Sequence, residues 1–148
     1  MSAVSYFKKA MEMTTSPGDL LELTTIERDG VDVKAFAQAP GTTRDLWALA
    51  SGHGDAEYLI YQDERYTYND VAVIVAEFAA WLSEQGIEAG DHVAIAMRNY
   101  PEWVMCHWAI NSIGAAVVGL NAWWVADEMD YALKDSQPKV LIADDRRL

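Results

Sequence analysis

Cysteine occurs once in these 148 residues, at Cys106. One thiol excludes an intramolecular disulfide and leaves any zinc site to other ligands. Because Cys106 sits in an apolar stretch, it reads as core packing and not as a nucleophile. Cations are scarce, with 11 Lys and Arg against 23 Asp and Glu and a net charge of −12. That balance opposes non-specific attraction to phosphate backbones or anionic lipid, so neither nucleic acid nor a membrane surface is an expected partner. Charge of either sign is missing from Trp103 to Ala126. A membrane helix needs roughly 20 predominantly apolar residues without a break. Here His107, Asn111, Ser112, Gly114, Gly119 and Asn121 interrupt the run, which reads better as a buried helix followed by a strand. The N-terminus lacks the long apolar core of a signal peptide, since Lys8-Lys9 leads only to Ala10-Met11 and then to acidic and hydroxyl residues. A cytoplasmic protein with no transmembrane segment is expected.

Catalytic signatures are equally sparse. The three histidines, His53, His92 and His107, have no metal-ligand spacing. His107 lies on an apolar helix and reads as a hydrogen-bonded core histidine, and His92, beside Asp91, as a turn residue. No Gly-x-Ser-x-Gly elbow is present. Pro40-Gly41-Thr42-Thr43-Arg44 echoes part of a phosphate loop, but it has one glycine and no lysine, and a helix follows at once. Helix capping by Thr42 or Thr43 accounts for it better.

What the chain does have is apolar mass, 51% hydrophobic residues with six Trp, against 23% charged. This is the composition of a globular chain long enough to bury a core. Residues 1–20 read as a helical and loop leader broken at Pro17-Gly18, and residues 21–41 as a β-hairpin layer. In that layer Leu21, Leu23 and Thr25 alternate on one arm and Val31, Val33 and Ala35 on the other, with the turn at Asp29-Gly30. Residues 42–148 read as α/β, and the whole as a single partial domain. A short helix through Leu46, Trp47 and Leu49 stops at Ser51–Gly54. Strands Tyr58–Tyr61 and Arg65–Tyr68 flank a turn at Asp63-Glu64. Thr67 and Asp70 form a capping box for a helix through Val71, Val75, Phe78 and Leu82 that ends at Gly86. Ile74, Trp81 and several alanines suggest that this helix is covered on more than one side.

Strand and helix then alternate: His92–Met97, Pro101–Ile113, Ala115–Leu120, Asp127–Lys134 and Lys139–Ala143. Asn99 and Glu102 read as the start of the first of these helices. The spacing predicts an α/β fold, a mostly parallel sheet with helical crossovers. Trp123-Trp124 falls beyond the carboxyl end of a strand, where ligands of open α/β sheets bind, although packing against the next helix is the simpler reading. Asp144-Asp145-Arg146-Arg147 reads as a solvated charged end.

Five segments in this order resemble the N-terminal part of the adenylate-forming enzymes: acyl- and aryl-CoA synthetases, luciferases and peptide-synthetase adenylation domains. They are Arg65-Tyr66-Thr67-Tyr68-Asn69-Asp70-Val71, Gly90-Asp91-His92-Val93-Ala94-Ile95, Asn99-Tyr100-Pro101-Glu102-Trp103, Ile113 through Asn121, and Glu128 through Ser136 with Lys139-Val140-Leu141-Ile142. The Asn121-Ala122-Trp123-Trp124 variant is similar to a subgroup of long-chain fatty acid–CoA ligases. Gly119 stands where the family usually has proline. The resemblance implies an incomplete N-terminal subdomain of the adenylate-forming fold. It also implies a two-step reaction in which ATP and a carboxylate give an acyl-adenylate, and coenzyme A then displaces AMP. ATP, Mg²⁺ and CoA are thus implied for the full-length enzyme, with none bound by this chain alone. The family's phosphate loop, its Thr-Glu motif, its ribose-binding Asp and its C-terminal lysine have no counterpart here, so no catalytic, cofactor-binding or metal-ligating residue is carried over.

Three functions remain open. The first is an inactive scaffold fragment of a fatty-acid–CoA ligase, partnered by its missing C-terminal portion. The second is an interaction module that self-associates or pairs through an exposed sheet. The third, a stand-alone flavodoxin-like nucleotide-binding domain, lacks a glycine fingerprint after any strand.

Overall fold

The computed structural model describes residues 3–19 and 21–147, so Met1, Ser2 and Leu20 of the expected leader and the terminal Leu148 lie outside the described residues. The chain forms two compact units, residues 1–41 and residues 42–148.

In the first unit, helix α1 (Ala3–Thr14) ends in hydroxyl residues. Thr15 Oγ1 donates to the Met11 carbonyl at 2.7 Å and Ser16 Oγ to that of Glu12 at 2.6 Å. These bonds satisfy carbonyls that the helix cannot pair internally. Strands β1 (Leu23–Arg28) and β2 (Val31–Phe36) form an antiparallel hairpin. Asp29 and Gly30 have φ of 53° and 77°, so both central residues are left-handed. A two-residue turn of that kind matches the right-handed twist of the strands. Val33 pairs with Ile26 and Ala35 with Thr24, which places these four on one face, while Leu23 and Phe36 pair on the other. Leu21 precedes the strand.

The second unit begins with α2 (Thr43–Ser51), capped by Thr42, whose hydroxyl accepts from the Asp45 N–H at 3.1 Å. Strands β3 (Glu57–Tyr61) and β4 (Glu64–Thr67) form a second hairpin. Its turn falls at Gln62-Asp63, one residue before the expected Asp63-Glu64, and Gln62 takes the left-handed φ of 51°. Helix α3 (Tyr68–Glu84) follows, so Tyr68 opens the helix instead of closing the strand. The capping box is complete: the Asp70 N–H donates to Thr67 Oγ1 at 3.1 Å, and the Thr67 N–H donates to the Asp70 carboxylate at 2.8 Å. Val71, Val75, Ala79 and Leu82 are buried along one stripe. Val73 (59% exposed) and Trp81 (43%) stand on the other side. The helix is therefore covered on one side only, contrary to the expectation from its composition.

Strands β5 (His92–Ala96), β6 (Ala116–Gly119) and β7 (Val140–Ala143) form a parallel sheet in the order β6-β5-β7. Helices α4 (Pro101–Ser112) and α5 (Ala126–Ser136) make the crossovers. Tyr100, not Asn99, is the residue before α4; it offers no side-chain cap, and Pro101 takes the first helical position, where a missing N–H costs nothing. Successive residues of β5 point to opposite faces. Val93 and Ile95 enter the main core with Trp47, Val71, Leu82, Met105 and Ile110. Ala94 and Ala96 face Met129, Ala132 and Leu133 of α5. Both faces of the central strand are therefore covered. No helix among the described residues is long and apolar enough to cross a membrane.

Candidate functional site

A parallel sheet delivers all its carboxyl ends, and the loops that follow them, to one side. There the turns after β5 and β6 enclose a cleft of about 590 Å³ lined by Met97–Asn99, Trp103 and Gly119–Trp124. Asn121 shapes one wall, its side-chain oxygen accepting from the Trp123 N–H at 3.0 Å and its carbonyl from the Trp124 N–H at 3.1 Å. An asparagine that bonds its own backbone two residues on makes a tight turn. The turn pushes Trp123 outward, 78% exposed, and the Arg98 guanidinium lies over its ring, 5.2 Å from the centroid. Trp123-Trp124 thus lines a cleft, with Trp123 far more exposed than Trp124. Trp124 also borders an adjoining groove of about 580 Å³ between β6 and α5, with Val118, Leu120 and Tyr131. At the floor Trp103 approaches Gly119, where an added Cβ would stand 3.9 Å from its ring.

The charged end after β7 is solvated only in part: Asp145 and Arg146 are exposed, as expected, but Asp144 and Arg147 are not. The side chains of Asp144 and Arg147 are 7% and 9% exposed, and Arg147 Nη1 donates to both carboxylate oxygens, at 2.9 and 3.1 Å. Asp144 also accepts from the backbone N–H groups of Arg98 and Arg146, each at 3.1 Å. Burial alone pushes this carboxyl up, but the Arg98 N–H, the Arg147 guanidinium and the Arg146 N–H together outweigh it and hold the group below the usual carboxylate range. Arg147 continues past Asp144 to the Ala122 carbonyl, with Nε at 3.0 Å and Nη2 at 2.5 Å. The pair is invisible to a reading by composition. Its one available signal was an acid and a base three residues apart directly after a buried parallel strand, on the side where Trp123 also emerges.

The histidines do not converge. His92 Nδ1 donates to the Ser136 carbonyl at 2.6 Å, joining the start of β5 to the end of α5, far along the strand from the cleft. Beside it Asp91 is held low by the Lys139 ammonium at 2.6 Å and the Glu88 N–H at 2.8 Å. His53 packs its ring 5.1 Å from that of Tyr68. His107 is half-buried between Trp103, stacked at 5.5 Å, and Trp108, edge-on at 5.2 Å. Its Nδ1 has no hydrogen-bond partner, contrary to the expected bonded core histidine, and burial lowers its pKa. Cys106 is buried, and burial pushes its thiol up to about 11, so it is a packing residue.

Among the described residues no three carboxylate, imidazole or thiol groups come together, and the Arg147 guanidinium is committed to Asp144 and Ala122. What the cleft offers is an apolar floor, an aromatic wall and one stacked cation.

Residues 46–148 match the family described as AMP-binding enzyme. The chain is 38% identical over 101 residues to YngI of Bacillus subtilis, a proposed acyl-CoA synthetase, covering 67% of this chain and 18% of that protein. It is 29% identical over 88 residues to the long-chain-fatty-acid–CoA ligase of Bacillus subtilis, covering 60% of this chain and 16% of the relative. Among solved structures, the NpsA N-terminal subdomain of Klebsiella oxytoca bound to anthranilyl-AMSN superposes with a TM-score of 0.67 at 27% identity, over 71% of this chain and 28% of that one. This chain thus spans less than a fifth of the length of these two curated relatives. The order of its elements, the parallel sheet with its carboxyl-end cleft and the match across residues 46–148 agree, and the chain belongs to the AMP-binding enzyme family.

Proposed function

We propose that this chain is an N-terminal scaffold portion of an ATP-dependent carboxylic acid–CoA ligase, a partial domain that is inactive alone. In the whole enzyme the reaction would run through an acyl-adenylate to an acyl-CoA, with a fatty acid as substrate and ATP, Mg²⁺ and CoA as reactants, in the cytoplasm. The observation that carries this reading is the family match over residues 46–148 in a chain that spans only 18% of its relative YngI. The fatty-acid substrate rests on the name of a relative, the long-chain-fatty-acid–CoA ligase. The residues around the cleft support the scaffold role, since they build a sheet and a cleft wall. The partner is then the remainder of such an enzyme, seated on the carboxyl-end side, where electrostatic stabilisation of the transferring groups would be completed. Pyrophosphate release by the purified chain, with ATP, Mg²⁺ and mixed fatty acids, tests the proposal. No turnover is expected, and turnover by the chain alone would overturn it.

A second reading, an interaction module, is favoured by one specific feature. Trp123, Trp124, Val125, Tyr131 and Leu141 are all exposed around the carboxyl-end cleft and the α5 side of the sheet, and contiguous apolar surface marks contact sites. Size-exclusion chromatography separates the two: a concentration-dependent dimer supports the module, whereas a monomer that binds no hydrophobic dye argues against it.

A further inference from the structure

Three loops meet at the carboxyl ends of the three parallel strands, and one closed circuit of contacts joins them. From the loop after β5, the Arg98 N–H donates to Asp144 while the Arg98 guanidinium lies over Trp123. Trp123 is in the turn after β6, adjacent to Ala122, whose carbonyl takes two bonds from Arg147. After β7, Arg147 returns to Asp144 through both carboxylate oxygens. Every link is a few ångströms long, yet the residues are separated by up to 46 positions in sequence (Arg98 to Asp144).

We propose that Arg147 is a positioning residue for the cleft, clamping the Asn121–Trp124 turn to the exit of β7 so that the Arg98–Trp123 wall stands only while the segment after β7 is folded back. The guanidinium is suited to this because its planar fork donates in two directions at once. One edge meets a carboxylate and the other a carbonyl. A lysine is a point charge on a flexible stem and cannot serve both at fixed geometry. Asp144 orients the fork, and its burial keeps water from competing for the donors. The remaining restraints on the turn are the local Asn121 bonds to Trp123 and Trp124 and the Arg98 stack from the loop after β5, which is exposed on its Trp123 side and therefore weak. Among the described residues, the bonds from Arg147 are the long-range hydrogen bonds that hold Ala122. The inference goes beyond the ligase reading and does not depend on it, because it concerns the shape of the wall and not what reacts there.

Amide exchange followed residue by residue by NMR on the full 148-residue chain tests it. Arg147→Met keeps the stem and removes the fork. It is expected to accelerate exchange of the Trp123 and Trp124 amides at least tenfold while leaving the β5 and β6 amides unchanged, and to increase acrylamide quenching of Trp123, read as the difference from a Trp123→Phe background. Arg147→Lys is expected not to rescue either signal. Should Arg147→Met fail to fold, Asp144→Asn serves in its place. The amide oxygen can still accept from the Arg98 N–H, so Trp123 and Trp124 are expected to accelerate more than Arg98. Unchanged exchange at Trp123 and Trp124, full rescue by lysine, or acceleration spread equally over β5 and β6 would each overturn the proposal.

Discussion

Gly114 ends α4 and launches β6, and its replacement by alanine is expected to be costly for two separable reasons. Its φ is +78°, and an added Cβ would stand 3.1 Å from the Ala89 Cβ and 3.6 Å from the Ala89 Cα. Gly86, at the end of α3, has nearly the same φ of +81° with nothing within 4 Å of the added atom. Gly86→Ala therefore reports the backbone cost alone. A left-handed non-glycine residue costs about 1–2 kcal/mol, offset by roughly 0.4–1 kcal/mol from the stiffer unfolded chain, which leaves about 1 kcal/mol. Gly114→Ala carries the same term plus the overlap with Ala89. Overpacking of a close contact costs about 1–3 kcal/mol, so a total of about 2–4 kcal/mol is expected.

The neighbouring backbone cannot yield cheaply. The Gly90 N–H donates to the Gly114 carbonyl at 2.9 Å, and the Ala116 N–H to the Asp91 carbonyl at 2.7 Å, so the Ala89 loop and the start of β6 are tied together. Urea denaturation of the two variants beside the parent measures the difference directly. In thermal unfolding, about 1 kcal/mol shifts the midpoint by roughly 2–4 °C in a chain near this size. Gly114→Ala should thus melt several degrees below Gly86→Ala. If the two variants lose the same stability, the close approach of the Ala89 loop to the helix end is wrong. The whole deficit would then belong to φ.

Thr67→Ala removes both the acceptor for the Asp70 N–H and the hydroxyl bonded to the Asp70 carboxylate, and a loss of about 1 kcal/mol is expected in urea denaturation. Asp70, Asp91 and Asp144 all have carboxyls held below the usual value of 3.8 in the folded chain. The unfolded state therefore binds more protons, so their stabilisation is present above that value and is lost as pH falls through the lower folded values. Asp91→Asn and Lys139→Met should each flatten the acid limb of a stability–pH curve, and an unchanged limb would deny the ion pair its role. His107 runs on the same sign higher up. Burial lowers its pKa from 6.5, so stability should fall as pH drops below that value, and His107→Phe should remove that slope. Cys106, with its thiol pushed up to about 11, should resist iodoacetamide at pH 8 until denaturant is added.

Local signals made most of the fold legible. Asp29-Gly30 sets its hairpin through two left-handed residues, Thr67 and Asp70 cap α3, and the apolar alternation of helix and strand fixes a parallel sheet, because each of these is decided within a few residues. The differences are of two kinds, one decided by contacts far along the chain and the others by local backbone preference. Helical spacing sets Val71, Val75 and Leu82 on one stripe of α3, but nothing within the helix tells whether a second neighbour covers Val73 and Trp81, which stay exposed. Asn99 looked like a cap because asparagine caps well, yet Pro101 fixes the helix start and places Tyr100 before it. The turn at Gln62-Asp63 slipped by one residue because glutamine is an unusual occupant of the left-handed region.

The site followed the same division. That Trp123-Trp124 lies beyond a strand's carboxyl end was legible from topology. That Asp144 and Arg147 are buried there was not, because four charged residues at the end of a chain read as a solvated tail. Burial of a charge is tolerated only when its bonds are complete. Asp144 draws its donors from two segments, the loop after β5 through Arg98 and its own exit from β7 through Arg146 and Arg147. That requirement runs both ways. The carboxylate can be buried because the three loops converge, and the loops are held in place by the carboxylate and its arginine. A mutual dependence of this kind has no signature in any one stretch of sequence, which is why the part of the molecule that shapes its cleft was the part least visible before the strands were assembled.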